Sequence, residues 1–277
     1  MEQTASKQGL SHPPRNQGAD SDAKLLPWDS EGPPTAASTD SPAAASNPPR
    51  FKEYRLNAQL REAERILPPG AGGPHAAPYK MLRTQVITRL EKLGAHTLAI
   101  LSPLAGAGKT LTAINLAIAI AAERDRTAIL VDFDLRNPSV HRRFGFEPEA
   151  GVEDCLRSNR PVREVLVGVA GYERMLLLPA RQRIESSSEL LAEGRILQVI
   201  ATLQQLYANS ILIFDLPPVL QSDDALLFSR YVQSGLMVVH EGQTRREDLT
   251  RSIELLHQLP LVGTVLNASR DSHDTVY

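Results

Sequence analysis

Short apolar runs alternate with amphipathic stretches along the chain from residue 97 onward. Six runs have the length of buried strands: 97–102, 128–133, 174–178, 211–215, 236–240 and 262–267. Helical periodicity lies between most of them, over 109–124, 187–207, 223–232 and 245–258. Continuous apolar strands joined by helices are typical of a parallel sheet that is covered on both faces. The pattern therefore predicts a doubly wound α/β domain with a mainly parallel sheet and helices on both faces.

Two more helices are predicted before the first of these strands. Apolar residues at helical spacing predict a helix over 53–67, which Pro68, Pro69 and Gly70 end. A second amphipathic helix is expected over 79–93, after a short linker.

The first 50 residues differ in composition from the rest of the chain. They hold eight of the 20 prolines, are rich in Ala and Ser, and contain few large apolar side chains. Such a segment cannot bury enough apolar surface to offset the entropy lost on ordering it. We therefore predict a disordered tail over 1–50, a helix and linker over 51–76, the α/β domain over 77–270 and a C-terminal tail over 271–277.

Charge and composition narrow the classes of function. The 277 residues include 30 Lys and Arg against 32 Asp and Glu, which gives a net charge of −2 and no basic excess for binding nucleic acid. The single cysteine, Cys155, indicates a reducing compartment. The least polar stretch, Leu111 to Ala122, has roughly 12 residues, whereas a membrane span needs about 20. We expect a cytoplasmic protein that reaches a membrane only through a partner.

The first apolar run leads directly into a glycine-rich turn, SPLAGAGKT, from Ser102 to Thr110. In such a turn, backbone N–H groups and the following helix N-terminus bind phosphates. Lys109 is expected to reach the β- and γ-phosphates, and the Thr110 hydroxyl to ligate Mg²⁺. The turn predicts a nucleotide site, although Pro103 stands where the strict pattern has glycine. The candidate nucleotide-binding residues here are Ala105, Gly106, Ala107, Gly108, Lys109, Thr110 and Leu111.

Carboxylates stand at the ends of two later apolar runs. Asp132 and Asp134 are one residue apart, so both are expected on the same side of the strand end, where ligands of parallel sheets bind. Such a pair can hold a hydrated Mg²⁺ or accept the proton of an attacking hydroxyl. Asp215 ends its own apolar run, as carboxylates that orient Mg²⁺ commonly do. The catalytic candidates are thus Lys109, Asp132 and Asp134, and the metal candidates are Thr110, Asp132 and Asp215.

In order along the chain, GAGKT, ILVDFDLR and ILIFDLPP resemble the corresponding segments of the bacterial tyrosine kinases of exopolysaccharide and capsule synthesis. The fold of these kinases belongs to the deviant P-loop ATPases, which also include the MinD and ParA groups. The resemblance covers about residues 77–270 and extends to NPSVH, SELL and GTVLN. In that family the three main segments are the Walker A, Walker A′ and Walker B motifs.

This resemblance implies ATP and Mg²⁺ as cofactors and phosphoryl transfer to tyrosine. It also implies a membrane chain-length determinant or co-polymerase protein as the activating partner, and peripheral association with the inner membrane. Self-association stays open, since Ala77 replaces the glutamate of the family's E-x-x-R-x-x-R helix. The alternative is a non-kinase switch of the MinD and ParA type, an ATPase that acts on a membrane polysaccharide-assembly partner. Leu104, in place of a second lysine, favours the kinase branch.

The C-terminal tail departs from the family pattern. The related kinases usually end in a cluster of tyrosines, whereas this tail carries only Tyr277, with Asp271 and Asp274 nearby. Tyr277 is either a phosphoacceptor or an incidental tyrosine.

Four arginines and one asparagine complete the candidates. Arg136 is expected to contact either a phosphate or a neighbouring subunit, or else to form a surface ion pair. Asn267 and Arg270 lie where related ATPases hold adenine. Arg142 and Arg143 are expected on a solvated helix face.

Overall fold

A computed structural model describes residues 51–73, 75–192, 194–207 and 209–269. The tails predicted over 1–50 and 271–277 lie outside these residues, as does Arg270. Within the described residues, no helix combines the length and the apolar character that crossing a membrane requires.

The sheet has eight strands. They are β1 (Lys52–Tyr54), β2 (Thr97–Leu101), β3 (Thr127–Asp132), β4 (Val167–Val169), β5 (Met175–Leu178), β6 (Ser210–Asp215), β7 (Ser234–His240) and β8 (Leu261–Asn267). Their order across the sheet is β1-β4-β5-β3-β6-β2-β7-β8. Every neighbouring pair is parallel except β4 and β5. The predicted doubly wound α/β architecture is therefore confirmed.

Ten helices accompany the sheet in the described part of the chain. They are α1 (Ala58–Ala63), α2 (Ala76–Leu93), α3 (Lys109–Ala121), α4 (Val140–Phe144), α5 (Val152–Ser158), α6 (Val162–Val165), α7 (Ser187–Ala192), α8 (Ile196–Leu206), α9 (Asp224–Ser229) and α10 (Arg246–Leu255). A 3₁₀ turn, Pro69–Ala71, lies between α1 and α2.

The central strands separate two apolar layers. Along β2, Leu98 and Ile100 pack into the layer that contains α2 and α3, while Ala99 and Leu101 pack into the layer that contains α5, α8 and α9. All five residues of β2 are buried. Burial on both faces explains why these strands are continuous apolar runs in the sequence rather than alternating ones.

The helix predicted over 53–67 is wrong at its beginning. Lys52–Tyr54 instead forms β1, whose backbone pairs with β4 at the edge of the sheet. The helix starts only after Asn57, whose side chain accepts a hydrogen bond from the Gln59 N–H at 2.7 Å. It ends at Ala63, and Arg65 has a positive φ of 55°. A three-residue edge strand leaves no periodic signal by which the sequence could have revealed it.

The single helix predicted over 187–207 is also wrong, because the structure divides it into α7 and α8. Gly194, with a φ of 73°, lies between the two and has the left-handed backbone that glycine adopts without strain. The helix predicted over 79–93 is present and begins three residues earlier, at Ala76.

The segment between α1 and α2 is fastened to α3 by a buried asparagine. The Asn115 side chain accepts from the Leu67 N–H at 2.9 Å and donates to the Arg65 carbonyl at 3.0 Å. Tyr172 donates its hydroxyl proton to the Leu67 carbonyl at 2.8 Å. These bonds fix a segment without regular structure against the helix that carries the glycine-rich turn.

We expect Asn115→Ala to lower the free energy of unfolding by about 2–4 kcal/mol, because a buried N–H and a partly buried carbonyl both lose their partner. Urea unfolding followed by circular dichroism measures the change. Thr88→Ala on the exposed side of α2 is the control. A loss below about 0.5 kcal/mol, the usual range for surface substitutions, would show that the asparagine bonds are not needed.

Candidate nucleotide and phosphoryl-transfer site

The sheet order brings the three motifs together. β2 lies beside β6, which lies beside β3, so the glycine-rich turn and the carboxylates emerge at one edge. In the strand register, Asp132 lies opposite Asp215 and Ile100 lies opposite Asp215. The carboxyl edge of a parallel sheet is where α/β proteins bind ligands.

The glycine-rich turn surrounds the N-terminus of α3. Gly106 and Gly108 have φ angles of 83° and 84°, in the left-handed region that favours glycine. Gly108 is the N-cap of α3, and no side chain caps the helix there. The first N–H groups of a helix have no intrahelical partner, so a phosphate can occupy this end.

A cavity of about 460 Å³ opens on this helix end. The turn contributes Ala105, Gly106, Ala107, Gly108, Lys109 and Thr110 to its wall. Its other lining residues are Glu64, Ser102, Asn137, Ser139, Arg142, Arg143 and Pro218. Leu111 does not line the cavity, and its partly buried side chain packs against the apolar layer of α2 and α3.

Lys109 is buried between carboxylates. Its Nζ lies 2.9 Å from Asp215 Oδ1 and 3.6 Å from Asp134 Oδ2. Burial by itself would lower the pKa of Lys109, but the negative charges of Asp215 and Asp134 raise that pKa above its ordinary value. The lysine is therefore held as a cation at the cavity wall.

Thr110 and Asp215 are in direct contact. The Thr110 hydroxyl donates to Asp215 Oδ2 at 2.6 Å and lies 3.4 Å from the Ser139 hydroxyl. One carboxylate thus orients both the lysine and the threonine of the turn.

Asp132 is fully buried and only half satisfied. Its Oδ2 accepts from the N–H groups of Ser139 and Val140 at 2.9 and 3.0 Å, whereas its Oδ1 has no hydrogen-bond partner. Burial, followed by the charge of Asp215, raises the pKa of Asp132 to about 8. An unpartnered carboxylate oxygen in a buried site is a position that a cation could stabilise.

The donor set suits Mg²⁺. Mg²⁺ takes oxygen ligands, usually one or two carboxylates together with waters and substrate phosphates. The Thr110 hydroxyl, the free Oδ1 of Asp132 and the carboxylate of Asp215 are oxygen donors of this kind. No group of three or more His, Cys, Asp or Glu side chains in the described residues is placed to hold a metal ion.

Asp134 lies two residues after the end of β3, at the start of the turn that leads to α4. It accepts a hydrogen bond from the Asn137 N–H at 3.1 Å, and burial raises its pKa even though nearby Lys109 acts in the opposite direction. The raised pKa brings this carboxylate nearer to the range in which it can exchange a proton.

Asn267 forms a hydrogen bond with the backbone of the glycine-rich turn. It ends β8, and its side-chain amide donates to the Ala107 carbonyl at 2.9 Å. A Cβ atom added at Gly108 would collide with that amide. Asn267 therefore contacts the glycine-rich turn directly. The adenine contact expected for Asn267 and Arg270 stays a prediction, and Arg270 and Tyr277 lie outside the described residues.

Arg136 does not line this cavity. Its guanidinium donates to Asp224 Oδ2 at 3.0 Å and Asp223 Oδ1 at 3.1 Å. Ser187 donates to the same Asp224 oxygen at 2.6 Å. Of the alternatives open for Arg136, the structure shows the ion pair.

Arg142 is exposed on α4, as a solvated helix face predicts, and Arg143 is half-buried; both arginines also line the cavity at the α3 N-terminus, which was not expected. Arg143 Nη1 pairs with Glu64 Oε2 at 2.6 Å, so the residue after α1 also reaches the cavity wall. In the sequence, these two arginines lie in the first helix after the β3 carboxylates, and this position could have indicated that they reach the same cavity. Glu64 gave no such signal, since it lies 45 residues before Lys109 in the sequence.

Comparison with known proteins places these features in a family. The model of the family described as ParA, NUBPL iron-transfer P-loop NTPase, matches residues 94–274. The chain is also 25% identical over 201 residues to the tyrosine-protein kinase YwqD of Bacillus subtilis, an alignment that covers 72% of this chain and 83% of YwqD.

Solved structures agree with the sequence comparison. The kinase domain of the Escherichia coli tyrosine kinase ETK superposes with a TM-score of 0.64 at 26% identity, over 72% of this chain and 77% of that one. A cobyrinic acid a,c-diamide synthase from Mycobacterium smegmatis, with bound ATP analogue and magnesium, shares the fold at a TM-score of 0.51 and 22% identity. The superposition covers 65% of this chain and 78% of the synthase chain.

Several related tyrosine-protein kinases are much longer than this chain. The alignments cover 25–27% of the length of these relatives, among them proteins of Ralstonia, Acinetobacter and Escherichia. The similarity therefore concerns one part of those proteins.

We expect Gly108→Ala to abolish tight ATP binding. A left-handed backbone costs a non-glycine residue about 1–3 kcal/mol, and here the new methyl group also collides with Asn267, which displaces the turn. Titration with a fluorescent ATP analogue measures the affinity. Gly94→Ala is the matched control, since Gly94 has a φ of 62° but open space around its Cβ position. Equal affinities of the two variants would contradict the expectation.

Asp132 should contribute a loss of stability to the metal-free protein as pH rises from about 4 to 8, of up to about 1.4 kcal/mol per pH unit. The sign follows because the folded pKa, about 8, exceeds the unfolded one, so the folded state holds a proton that the unfolded state has released. Asp132→Asn should remove this contribution, whereas Asp125→Asn, at an exposed position, should not. Chemical unfolding in EDTA at several pH values measures the slopes, and parallel slopes for wild type and Asp132→Asn would disprove it.

Proposed function

Since the chain belongs to the ParA family of P-loop NTPases, we propose that it binds ATP with Mg²⁺ and transfers the γ-phosphoryl group to protein tyrosine, in the regulation of exopolysaccharide synthesis, chain length or export. The observation that carries the proposal is the cluster in which Asp215 contacts both Lys109 and Thr110 at the N-terminus of α3. The similarity to tyrosine-protein kinases over 72% of the chain supports tyrosine as the acceptor.

Lys109 is proposed to stabilise the charge that develops on the transferred phosphoryl group. The ammonium group is already in place at the cavity wall and carries its charge before ATP arrives. When the triphosphate enters, Nζ exchanges part of its contact with Asp215 and Asp134 for phosphate oxygens. Preorganised charge of this kind requires little rearrangement during the reaction.

Thr110, Asp132 and Asp215 are proposed to hold Mg²⁺ together with the phosphates. The metal ion would neutralise charge on the β- and γ-phosphate oxygens and orient them. The half-satisfied carboxylate of Asp132 and the hydroxyl of Thr110 supply the oxygen atoms on the protein side.

The transfer itself needs a proton acceptor. The bond between the tyrosine Oη and the γ-phosphorus forms while the bond from that phosphorus to the β,γ-bridging oxygen breaks, which leaves ADP. The phenolic proton passes to a carboxylate. Asp134 is the better placed of the two to accept this proton, because it is less buried than Asp132 and bonds to Asn137, which lines the cavity. Positioning and electrostatics would supply most of the rate, as in phosphoryl transfer generally.

Iron transfer, which the family description mentions, has little support in this chain. Iron–sulfur sites are built from several cysteine thiolates. The chain has one cysteine, and burial raises the pKa of the Cys155 thiol to about 12.

The remaining roles extend this proposal. We assign the chain a membrane chain-length determinant or co-polymerase as partner, which would hold it at the inner membrane. Tyr277 is proposed as one phosphoacceptor, and Asn267 and Arg270 as contacts of the adenine side. Arg83 lies in the register of the family's E-x-x-R-x-x-R helix but pairs with Glu123 at 3.1 Å in its own chain, so self-association needs a direct test.

Incubation with ATP labelled at the γ-position, Mg²⁺ and a tyrosine-containing copolymer tests the proposal. We expect phosphotyrosine to form, and Lys109→Met to reduce its rate by at least about 100-fold, in line with the loss of one preorganised charge contact. Phosphoamino-acid analysis and tyrosine-specific mass spectrometry identify the product.

Lys92→Met is the matched control, since Lys92 is an exposed lysine of α2 that does not line the nucleotide cavity. Release of free phosphate without labelled tyrosine, with and without the cytoplasmic segment of the membrane partner, would refute the kinase proposal in favour of an ATPase switch. ATP binding without either product would indicate a regulatory nucleotide-binding subunit.

A further inference from the structure

A second cavity lies beside the nucleotide cavity and is strongly basic. It has a volume of about 300 Å³. We call it the basic groove, and it is lined by Arg136, Asn137, Pro138, His141, Arg142, Arg181 and Arg183. Four arginines and no carboxylate form its walls, so it presents a positive surface to whatever enters.

The arginines are compensated to different degrees. Arg136 pairs with two carboxylates of the α9 region, and Arg142 donates to the Asn137 side chain at 3.0 Å. Arg181 forms ion pairs with Asp154 at 3.6 Å and with Glu153 at 3.9 Å, and both distances are longer than a hydrogen bond, so its N–H groups stay available. Arg183 is exposed and has neither an ion pair nor a side-chain hydrogen bond within the described part of the chain. Arg181 and Arg183 therefore retain donors for an incoming anion.

A buried histidine adds an unsatisfied polar group. His141 lines the groove and is only 6% exposed, and its Nδ1 has no hydrogen-bond partner. Buried polar atoms in folded proteins nearly always have partners, so an unpartnered one beside a cavity indicates that a ligand can supply the missing bond.

The groove adjoins the cavity at the α3 N-terminus through two shared residues. Asn137 and Arg142 line both cavities. The basic residues come from the segments that follow β3 and β5, which are neighbouring parallel strands, so both segments emerge at the carboxyl edge of the sheet. A peptide in the groove would thus lie beside the cavity in which the proposed function places the triphosphate.

We propose that the basic groove is the acceptor subsite, and that it selects tyrosines flanked by aspartate or glutamate through Arg181 and Arg183. This inference rests on the proposed kinase function and names its substrate class: an acidic peptide segment with a tyrosine. The glycine-rich turn already provides a site for the nucleotide phosphates, which leaves the groove for anions of the acceptor. Residues 271–277 of a second copy, with Asp271, Asp274 and Tyr277, have this chemistry.

Steady-state kinetics with two matched peptides test the inference. Both peptides have ten residues and a central tyrosine, which aspartates flank in one peptide and asparagines in the other. For the wild type we expect the KM of the aspartate peptide to be at least about tenfold lower, since charge-assisted hydrogen bonds are stronger than neutral ones. Arg181→Ala combined with Arg183→Ala should remove this difference while kcat and the KM for ATP change less than about twofold.

Two further variants guard against misfolding. Arg183→Ala alone removes an arginine without any partner in the described chain, so folding should be unaffected and part of the peptide selectivity should still be lost. Arg251→Ala removes an exposed arginine of α10 that lines neither cavity and should change nothing. Equal KM values of the two peptides for the wild type, or unchanged selectivity in the double variant, would overturn the inference.

Direct binding separates this inference from the kinase proposal. Fluorescence anisotropy of the labelled peptides, with a non-hydrolysable ATP analogue present, reports the groove without any transfer. If no phosphotyrosine forms but aspartate-dependent binding is lost in the double variant, the kinase proposal fails and the groove still binds acidic peptides. A phosphotyrosine peptide without aspartates that binds as tightly, with the same dependence on Arg181 and Arg183, would show a phosphate pocket instead and overturn the inference.

Discussion

The candidate site depends on the buried contact between Lys109 and Asp215. Nζ and Oδ1 lie 2.9 Å apart with almost no access to water, so removal of either group would leave an uncompensated charge in the interior. The same carboxylate accepts the Thr110 hydroxyl, which ties the first turn of α3 to the end of β6. The interaction joins α3, the helix that follows β2, to the end of β6, the strand that lies beside β2.

Around this contact, several polar groups lack hydrogen-bond partners that a nucleotide and a cation could supply. The α3 N-terminus has no capping side chain, and one oxygen of Asp132 is buried without a partner. Asn267 holds the turn from the opposite side through the Ala107 carbonyl. The protein therefore maintains an unsatisfied arrangement by means of surrounding bonds, as phosphoryl-transfer sites generally need, since catalysis there is mainly positioning and electrostatics.

Arginines surround the cavity that adjoins the candidate site. The proposed phosphate site lies at the turn, while Arg136 pairs with carboxylates near α9 and Arg181 and Arg183 lie in the adjoining groove. Asn137 and Arg142 are shared by both cavities. A net charge of −2 hides this local concentration of positive charge, because the acidic residues lie elsewhere on the surface or in the ion pairs described.

The fold class, the six apolar strands and the placement of the glycine-rich turn and its carboxylates at one edge of the sheet were all predictable from the sequence. These are local properties, since burial on both faces and the spacing of glycines are written in neighbouring residues. Tertiary structure alone decided that Lys52–Tyr54 forms an edge strand, that Glu64 and Arg143 meet at the nucleotide cavity, and that Arg136 pairs with Asp224. Each of these contacts joins residues that are far apart in the sequence, and no periodic pattern within a segment records which distant partner it will meet.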